Sequence, residues 1–189
     1  MRTSWVLALV ICAGSARADD ASEVALAAEL GAVGGGGATP GGLRVGGRFL
    51  YRMADVDWFD GAVAFTFGDP RAACGRVAPT GMSCDHGVGD GFAGDLALGV
   101  RRELGGPAGF VPFIRGAVVA RVVRFAGDDV SGGAVGGEVG VGLRARLRDG
   151  VSLTGGATGF AGVARLGGGV GSVGQLGLTI GAGAEFRMR

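Results

Sequence analysis

The residues best suited to chemistry lie in one glycine-rich stretch that holds two of the three cysteines and the single histidine. Cys74 and Cys84 are followed directly by Asp85 and His86. Two thiols can form a disulfide, or they can bind a metal together with a carboxylate and an imidazole. Single cysteines at this spacing lack the C-x-x-C pairing typical of structural zinc sites, which favours the disulfide.

The same histidine is the one available base for a catalytic triad. A hydrolase or acyltransferase of this type needs a histidine that takes a proton from its nucleophile. Ser83, with Asp85 or Asp90, could complete such a set around His86. Solvated loop histidines are far commoner, so we expect no enzyme activity, no catalytic residue, no cofactor and no metal.

The N-terminal residues predict export. Arg2 provides a positive charge, residues 5–12 an apolar run, and residues 16–18 an A-x-A cleavage site. This is the pattern of a secretory signal peptide. We therefore expect a signal peptide over residues 1–18 and one mature domain over residues 19–189, a length that suits a single domain.

Export decides between the interpretations of the cysteines. A lipoprotein would use Cys12 as its lipidated residue, but that requires a small residue before the cysteine, and Ile11 stands there. Cleavage removes Cys12 and leaves Cys74 and Cys84 in a compartment where disulfides form and persist. We predict that these two cysteines form a disulfide, with the metal site as the alternative.

The amino-acid composition indicates that part of the protein surface contacts something other than water. The chain has 43 glycines, a mean hydropathy of +0.40 and 19% charged residues, against about 25% charged residues in ordinary globular proteins. The net charge of +1 argues against a nucleic-acid partner, because such proteins carry a strong basic excess.

Charged residues follow a period of two along the mature chain. Between residues 43 and 53, Arg44, Arg48 and Arg52 fall on one face, and the other face carries large apolar side chains. This alternation indicates a strand with two different faces. Three arginines on one face do not fit the buried side of an ordinary sandwich. The alternation recurs to the end of the chain, so the sequence predicts an all-β fold.

The repeats mark about eight strands, several of them long enough to supply the 9–11 residues that cross a bilayer. The sequence predicts long links at 34–42, 68–91, 126–133 and 167–174, and short links at 54–57, 105–109 and 149–150. Long loops on one rim and short, periplasmic turns on the other are typical of outer-membrane barrels. The predicted fold is an eight-stranded antiparallel up-and-down transmembrane β-barrel.

The inward face then carries the charges. An eight-stranded barrel has an interior just wide enough for side chains to fill it, and a buried arginine is unfavourable unless it is paired. We predict an ion-pair network in the lumen, and a charged ion pathway is the alternative. The predicted members are Arg44, Arg48, Arg52, Asp60, Asp95, Arg101, Glu103, Arg115, Arg121, Glu138, Arg144, Arg146 and Glu185. Glu29 is a further carboxylate that the arginines face.

On these features the chain resembles the small outer-membrane β-barrel superfamily of Gram-negative bacteria, which includes the OmpA transmembrane domain, OmpX and OmpW. The resemblance rests on the signal peptide, the strand count, the alternation of loop lengths and the final strand, residues 177–188, with Phe186 on its apolar face. It implies a location in the cell outer membrane, contact with outer-membrane lipid and insertion by the barrel-assembly machinery.

The expected function is a structural or surface-interaction role exerted through the extracellular loops. Loops carry function on rigid scaffolds, and residues 68–91 form the longest predicted loop and the one that holds the cysteines. We expect this loop to contact any surface partner. The alternatives are a porin-like narrow pore or carrier of small hydrophobic molecules, and a soluble secreted β-barrel.

Overall fold

The computed structural model describes residues 23–68, 74–77, 81–84, 91–105, 109–125 and 129–188. The predicted signal peptide lies outside these ranges, as do Asp85, His86 and Asp90. Within the described ranges, no helix is long and apolar enough to cross a membrane.

The described chain is built from antiparallel strands. They are β1 (Val24–Gly37), β2 (Gly42–Arg52), β3 (Asp57–Phe67), β4 (Cys74–Val77), β5 (Gly81–Cys84), β6 (Phe92–Glu103), β7 (Phe110–Phe125), β8 (Val130–Arg148), β9 (Val151–Leu166) and β10 (Gly171–Met188). Eight of them close into a barrel in the order β1-β10-β9-β8-β7-β6-β3-β2, and β4 pairs with β5 alone. The predicted eight-stranded up-and-down barrel is confirmed.

Pairing of the first and last strands closes the barrel. The register of β1 and β10 runs from Val24 opposite Met188 to Gly37 opposite Gln175. Closure leaves no strand edge with unpaired backbone groups. A wall of this kind satisfies its own hydrogen bonds and can therefore span a hydrocarbon layer.

Three of the four predicted long links are shorter than expected, because glycine-rich segments assigned to loops are in fact strand. Gly34–Gly37 belongs to β1 and pairs with β10, and residues 130–133 and 171–174 likewise belong to strands. Glycine carries no side chain, so it hides the period-2 pattern while its backbone still completes the ladder. The remaining links cover residues 38–41, 126–129 and 167–170. Of the four predicted long links, only residues 68–91, between β3 and β6, keep the predicted length. We call this end the long-loop rim and the opposite end the short-turn rim.

The outer face of the barrel is apolar and open to the surroundings. Leu30, Val118 and Val139 have 56%, 68% and 71% of their surface exposed, whereas the alternate positions on the same strands point into the barrel. Large apolar side chains at this exposure over a whole surface require a solvent other than water. We call this surface the apolar belt.

Polar residues mark the ends of the belt. Near the long-loop rim, outward positions on four consecutive strands carry Arg124, Ser131, Arg165 and Ser172, with Arg124 opposite Ser131 and Arg165 opposite Ser172. Below them, the outward positions of β9 from Val151 to Val163 carry no charge. A rise of about 3.3 Å per residue and a tilt of about 40° make this stretch roughly 30 Å tall. That height matches the hydrocarbon core of a bilayer.

Aromatic side chains lie towards both ends of the belt. Phe49 contacts Phe59 edge-on near the short-turn rim, with ring centroids 6.5 Å apart. Near the long-loop rim Phe92 lies 6.1 Å from Phe65 and 5.6 Å from Phe67. These rings, on β2, β3 and β6, lie at the heights where membrane barrels place interfacial aromatic residues.

Candidate functional site

The lumen contains two layers of ion pairs, and the first, the central layer, is centred on Asp95 of β6. Arg121 of β7 donates to Asp95 from Nε at 2.6 Å and from Nη2 at 3.0 Å. Arg44 of β2 donates to the same carboxylate. Bidentate guanidinium contacts of this kind are among the strongest hydrogen bonds in proteins. They join β6 to its neighbour β7 and, across β3, to β2.

Arg48 connects two further carboxylates of the central layer. It donates to Glu29 from Nε at 2.9 Å and from Nη2 at 3.1 Å, and it also donates to Asp60. Beside it, Arg115 lies 3.2 Å from Glu138. The central layer therefore holds four arginines and four carboxylates, and its formal charges balance. Its members are Arg44, Arg48, Arg115, Arg121, Glu29, Asp60, Asp95 and Glu138.

The second layer, the rim layer, lies next to the short-turn rim and is centred on Glu185 of β10, whose side chain is fully buried. Arg101 donates to Glu185 at 2.6 Å and Arg187 donates to it at 2.7 Å. Glu103 accepts from Arg144 at 3.2 Å and from Arg187 at 2.5 Å. These contacts fill this end of the lumen with paired charge.

Aromatic rings and a second glutamate complete the rim layer. The guanidinium of Arg187 lies 4.4 Å from the ring centroid of the buried Trp58, and that of Arg101 lies 4.1 Å from Phe113. Stacking on a ring face partly replaces the water that a buried guanidinium loses. Arg52 donates to Glu23 at 3.3 Å, at the outer edge of the layer. The members of the rim layer are Arg52, Arg101, Arg144, Arg187, Glu23, Glu103 and Glu185.

One predicted network residue lies elsewhere. Arg146 stands at the end of β8, where the pairing with β9 is irregular between Arg146 and Arg148. Its side chain is 55% exposed and pairs with Asp149 in the adjoining turn at 2.7 Å. Arg146 faces the same side as Arg144, opposite the inward Ser152, but it stands near the end of β8, at the open mouth of the barrel and outside the two layers.

The opposite end of the lumen is filled by apolar side chains, which we call the apolar plug. Its members are Ala38, Ala93, Val123, Phe125, Val130, Ala134, Ala164 and Leu166. The link between β1 and β2 folds inward here, since Thr39 and Pro40 are fully buried. Gln175 donates to the backbone carbonyl of Ala38 and fixes this link.

A cavity of about 70 Å³ remains between the layers. Its polar lining includes Glu29, Arg115 and Thr158, and Arg115 donates to the Thr158 hydroxyl at 2.8 Å. A site needs roughly 10–15 Å³ of such space to hold one water. The cavity has room for a few waters.

Four inward glycines lie at the level of this cavity, and three of them, Gly31, Gly156 and Gly181, line it. Gly31, Gly181, Gly156 and Gly142 face one another in register across β1, β10, β9 and β8. We call them the glycine row. A Cβ at Gly156 would lie 2.5 Å from the carbonyl oxygen of Val141, so the close approach of the strands requires glycine there.

The cysteine loop contains a hairpin that was not expected from the sequence. Strands β4 and β5 pair so that Cys74 lies directly opposite Cys84. Opposed residues on antiparallel strands have Cα atoms about 4.5–5.5 Å apart, a separation within the range of disulfides. The disulfide stays a prediction, as does the metal alternative, whose Asp85 and His86 lie outside the described residues.

The inward aromatic residues were missed at the level of sequence. Trp58, Phe113 and Phe160 all point into the lumen, and Phe160 supports the guanidinium of Arg121 at 4.1 Å. The parity of each strand carries this information, because Phe113 is an even number of positions from the inward Arg115 on β7. The sequence-based prediction filled the lumen with ion pairs alone, whereas aromatic rings stacked on the arginines also fill part of it.

Solved structures with the same fold are outer-membrane barrels. The N-terminal β-barrel domain of Pseudomonas aeruginosa OprF matches with a TM-score of 0.59 and 14% identity, over 88% of this chain and 97% of that one. Neisserial surface protein A matches with a TM-score of 0.58 and 14% identity, over 87% and 96%. A major outer membrane protein from Thermus thermophilus matches with a TM-score of 0.53 and 16% identity, over 89% and 100%.

No family model and no curated protein matches the sequence. The likeness is therefore one of fold. The sequence-based expectation of the fold of the small outer-membrane barrels is confirmed.

Proposed function

We propose that this chain, with the fold of the small outer-membrane barrels, is an integral outer-membrane protein that acts through its extracellular loops. Residues 68–91 are the principal contact region, and the lumen is a structural core. The observation that carries the proposal is the filling of the lumen. The apolar plug, the central layer and the rim layer follow one another along the barrel axis.

The energetics of the two layers favour a structural lumen. Breaking a buried pair by removing one partner costs about 3–5 kcal/mol, because the other charge stays buried without compensation. Asp95 and Glu185 each contact more than one arginine, so opening a path through either layer would break several such contacts together. This leaves the loops as the part of the molecule free to contact a partner.

The functional test is complementation of a deletion strain by a barrel that lacks the loop. Residues 69–90 are replaced by a short turn, and the phenotype of the deletion strain is measured by adhesion and detergent sensitivity. We expect the shortened protein to assemble with normal heat-modifiable mobility and to fail to complement. Full complementation by the shortened barrel would overturn the proposal.

The position of the loop is tested separately. An epitope inserted within residues 78–80 should bind antibody on intact cells. The matched control is the same epitope in the turn at Asp149–Gly150, which should bind antibody only after the outer membrane is permeabilised. Reversed accessibility would mean that the barrel is inserted in the opposite orientation.

A narrow pore is the second candidate, since the polar cavity beside Glu29 and Arg115 could form part of a water path. Planar-bilayer recording separates the two functions. The filled lumen predicts no stable conductance steps from the purified protein. Reproducible unitary steps that change in Glu185→Gln would favour the pore.

A further inference from the structure

The mouth of the barrel at the short-turn rim contains a pocket with an excess of positive charge. Its ionisable residues are Arg144, Arg146, Arg148, Arg187, Glu23 and Asp149, four arginines against two carboxylates. The carboxylates behind the pocket do not remove the excess. The pocket and the rim layer together contain six arginines and four carboxylates, whereas the central layer is balanced.

Arg148 keeps the hydrogen-bonding capacity of its side chain for a ligand, and Arg144 adds charge beside it. Within the described residues, the Arg148 side chain makes no hydrogen bond or ion pair and is exposed. Arg144 is nine-tenths buried, and its Nε has no hydrogen-bond partner among the described groups. The nearest carboxylate oxygen, on Glu185, lies 3.9 Å from that nitrogen. This nitrogen is itself buried from solvent, so Arg144 contributes positive charge to the pocket that it lines.

The geometry of the pocket suits a tetrahedral oxyanion. Guanidinium groups bind phosphate through parallel N–H donors, and arginines from β8 and β10 approach this pocket from two sides. The hydroxyl of Ser152 also lines it, 3.5 Å from Nη1 of Arg144. Arg146 and Arg148, on either side of the irregular pairing, both line this pocket.

We propose that this pocket binds a phosphate group. The phosphate could belong to a soluble periplasmic anion or to the headgroup of a phospholipid in the adjacent leaflet. Both sources present the same chemistry to the arginines. The proposal concerns the rim opposite residues 68–91 and does not depend on the function of that loop.

The test uses the mature protein refolded in zwitterionic detergent, titrated by calorimetry with inorganic phosphate and, separately, with dihexanoyl phosphatidylglycerol. We expect one binding site that Arg148→Gln weakens about tenfold, since one charge-assisted hydrogen bond is lost. The matched control is Arg165→Gln, which removes an exposed arginine at the long-loop rim. This control should leave the affinity unchanged.

Each result has a defined meaning. Phosphate binding that depends on Arg148 identifies a soluble anion site, and phosphatidylglycerol binding with the same dependence, without phosphate binding, identifies a headgroup site. The proposal is overturned if neither probe binds, or if Arg165→Gln weakens binding as much as Arg148→Gln. Because Arg148 is exposed, its variant should assemble normally, which heat-modifiable mobility verifies.

Discussion

The glycine row provides the sharpest test of the barrel geometry, through the substitution Gly156→Ala. The added Cβ would lie 2.5 Å from the carbonyl oxygen of Val141 and 3.0 Å from the Cα of Gly142. Both are backbone atoms of the neighbouring strand β8, so a rotamer change cannot relieve the contact. Overpacking of this kind costs about 1–3 kcal/mol, and we expect that loss in the free energy of unfolding.

The matched control is Gly159→Ala on the same strand. Gly159 points outward, and a Cβ there would lie 4.0 Å from its nearest neighbour, the carbonyl oxygen of Val139. Glycine in a strand interior is unfavourable relative to alanine by about 0.5–1 kcal/mol. The control should therefore be neutral or slightly stabilising.

The assay is reversible urea unfolding of the protein in lipid vesicles, followed by tryptophan fluorescence. Trp58 is the one tryptophan of the predicted mature chain, and it is buried against Arg187 in the rim layer, so its emission reports on loss of the folded lumen. Equal stabilities for Gly156→Ala and Gly159→Ala would refute the close approach of β8 and β9. A stabilising effect of Gly156→Ala would refute it more strongly.

Three further perturbations test the belt, the rim layer and the loop. Val141→Arg, near the middle of the belt, should lower the free energy of unfolding in vesicles by about 2–4 kcal/mol, whereas Val141→Leu should change it little. Similar values for both variants would mean that this face does not contact lipid. Glu185→Gln should destabilise by about 3 kcal/mol because it removes the buried charge at the centre of the rim layer, one of the two carboxylates paired with Arg101. A loss well below about 1 kcal/mol would contradict the rim layer. Replacing Cys74 and Cys84 with serine should leave barrel assembly intact and increase protease cleavage within the loop, because a disulfide that closes about ten residues stabilises the loop by roughly 2–3 kcal/mol. Two free thiols in the wild-type protein, detected by mass spectrometry, would contradict the disulfide.

The fold was predictable where side chains alternate. On β2, Arg48 points into the lumen and Phe49 points outward, as the period of two requires. Where glycines run consecutively, as in Gly34–Gly37, the pattern carries no such information, and the strands proved longer than predicted. Backbone hydrogen bonding decides those segments, and sequence alternation does not report it.

The sequence predicted which charged residues point into the lumen better than it predicted which of them pair with one another. The inward parity of Asp95, Arg121 and Glu185 follows from their own strands, and the structure buries all three. Which arginine contacts which carboxylate depends on the stagger between strands, and a single sequence does not contain it. Arg146 shows the limit of the parity argument, because it lies opposite the inward Ser152 as parity requires, yet near the end of β8, where the barrel opens.

One gel tests directly whether this chain forms a closed barrel in the outer membrane. Outer-membrane and soluble periplasmic fractions are run with and without boiling and are probed for the mature protein. We expect the protein in the outer-membrane fraction, with a different mobility when unheated, because a closed ladder of backbone hydrogen bonds resists detergent until it is boiled. Recovery in the soluble fraction without detergent, or identical mobility before and after boiling, would contradict the account.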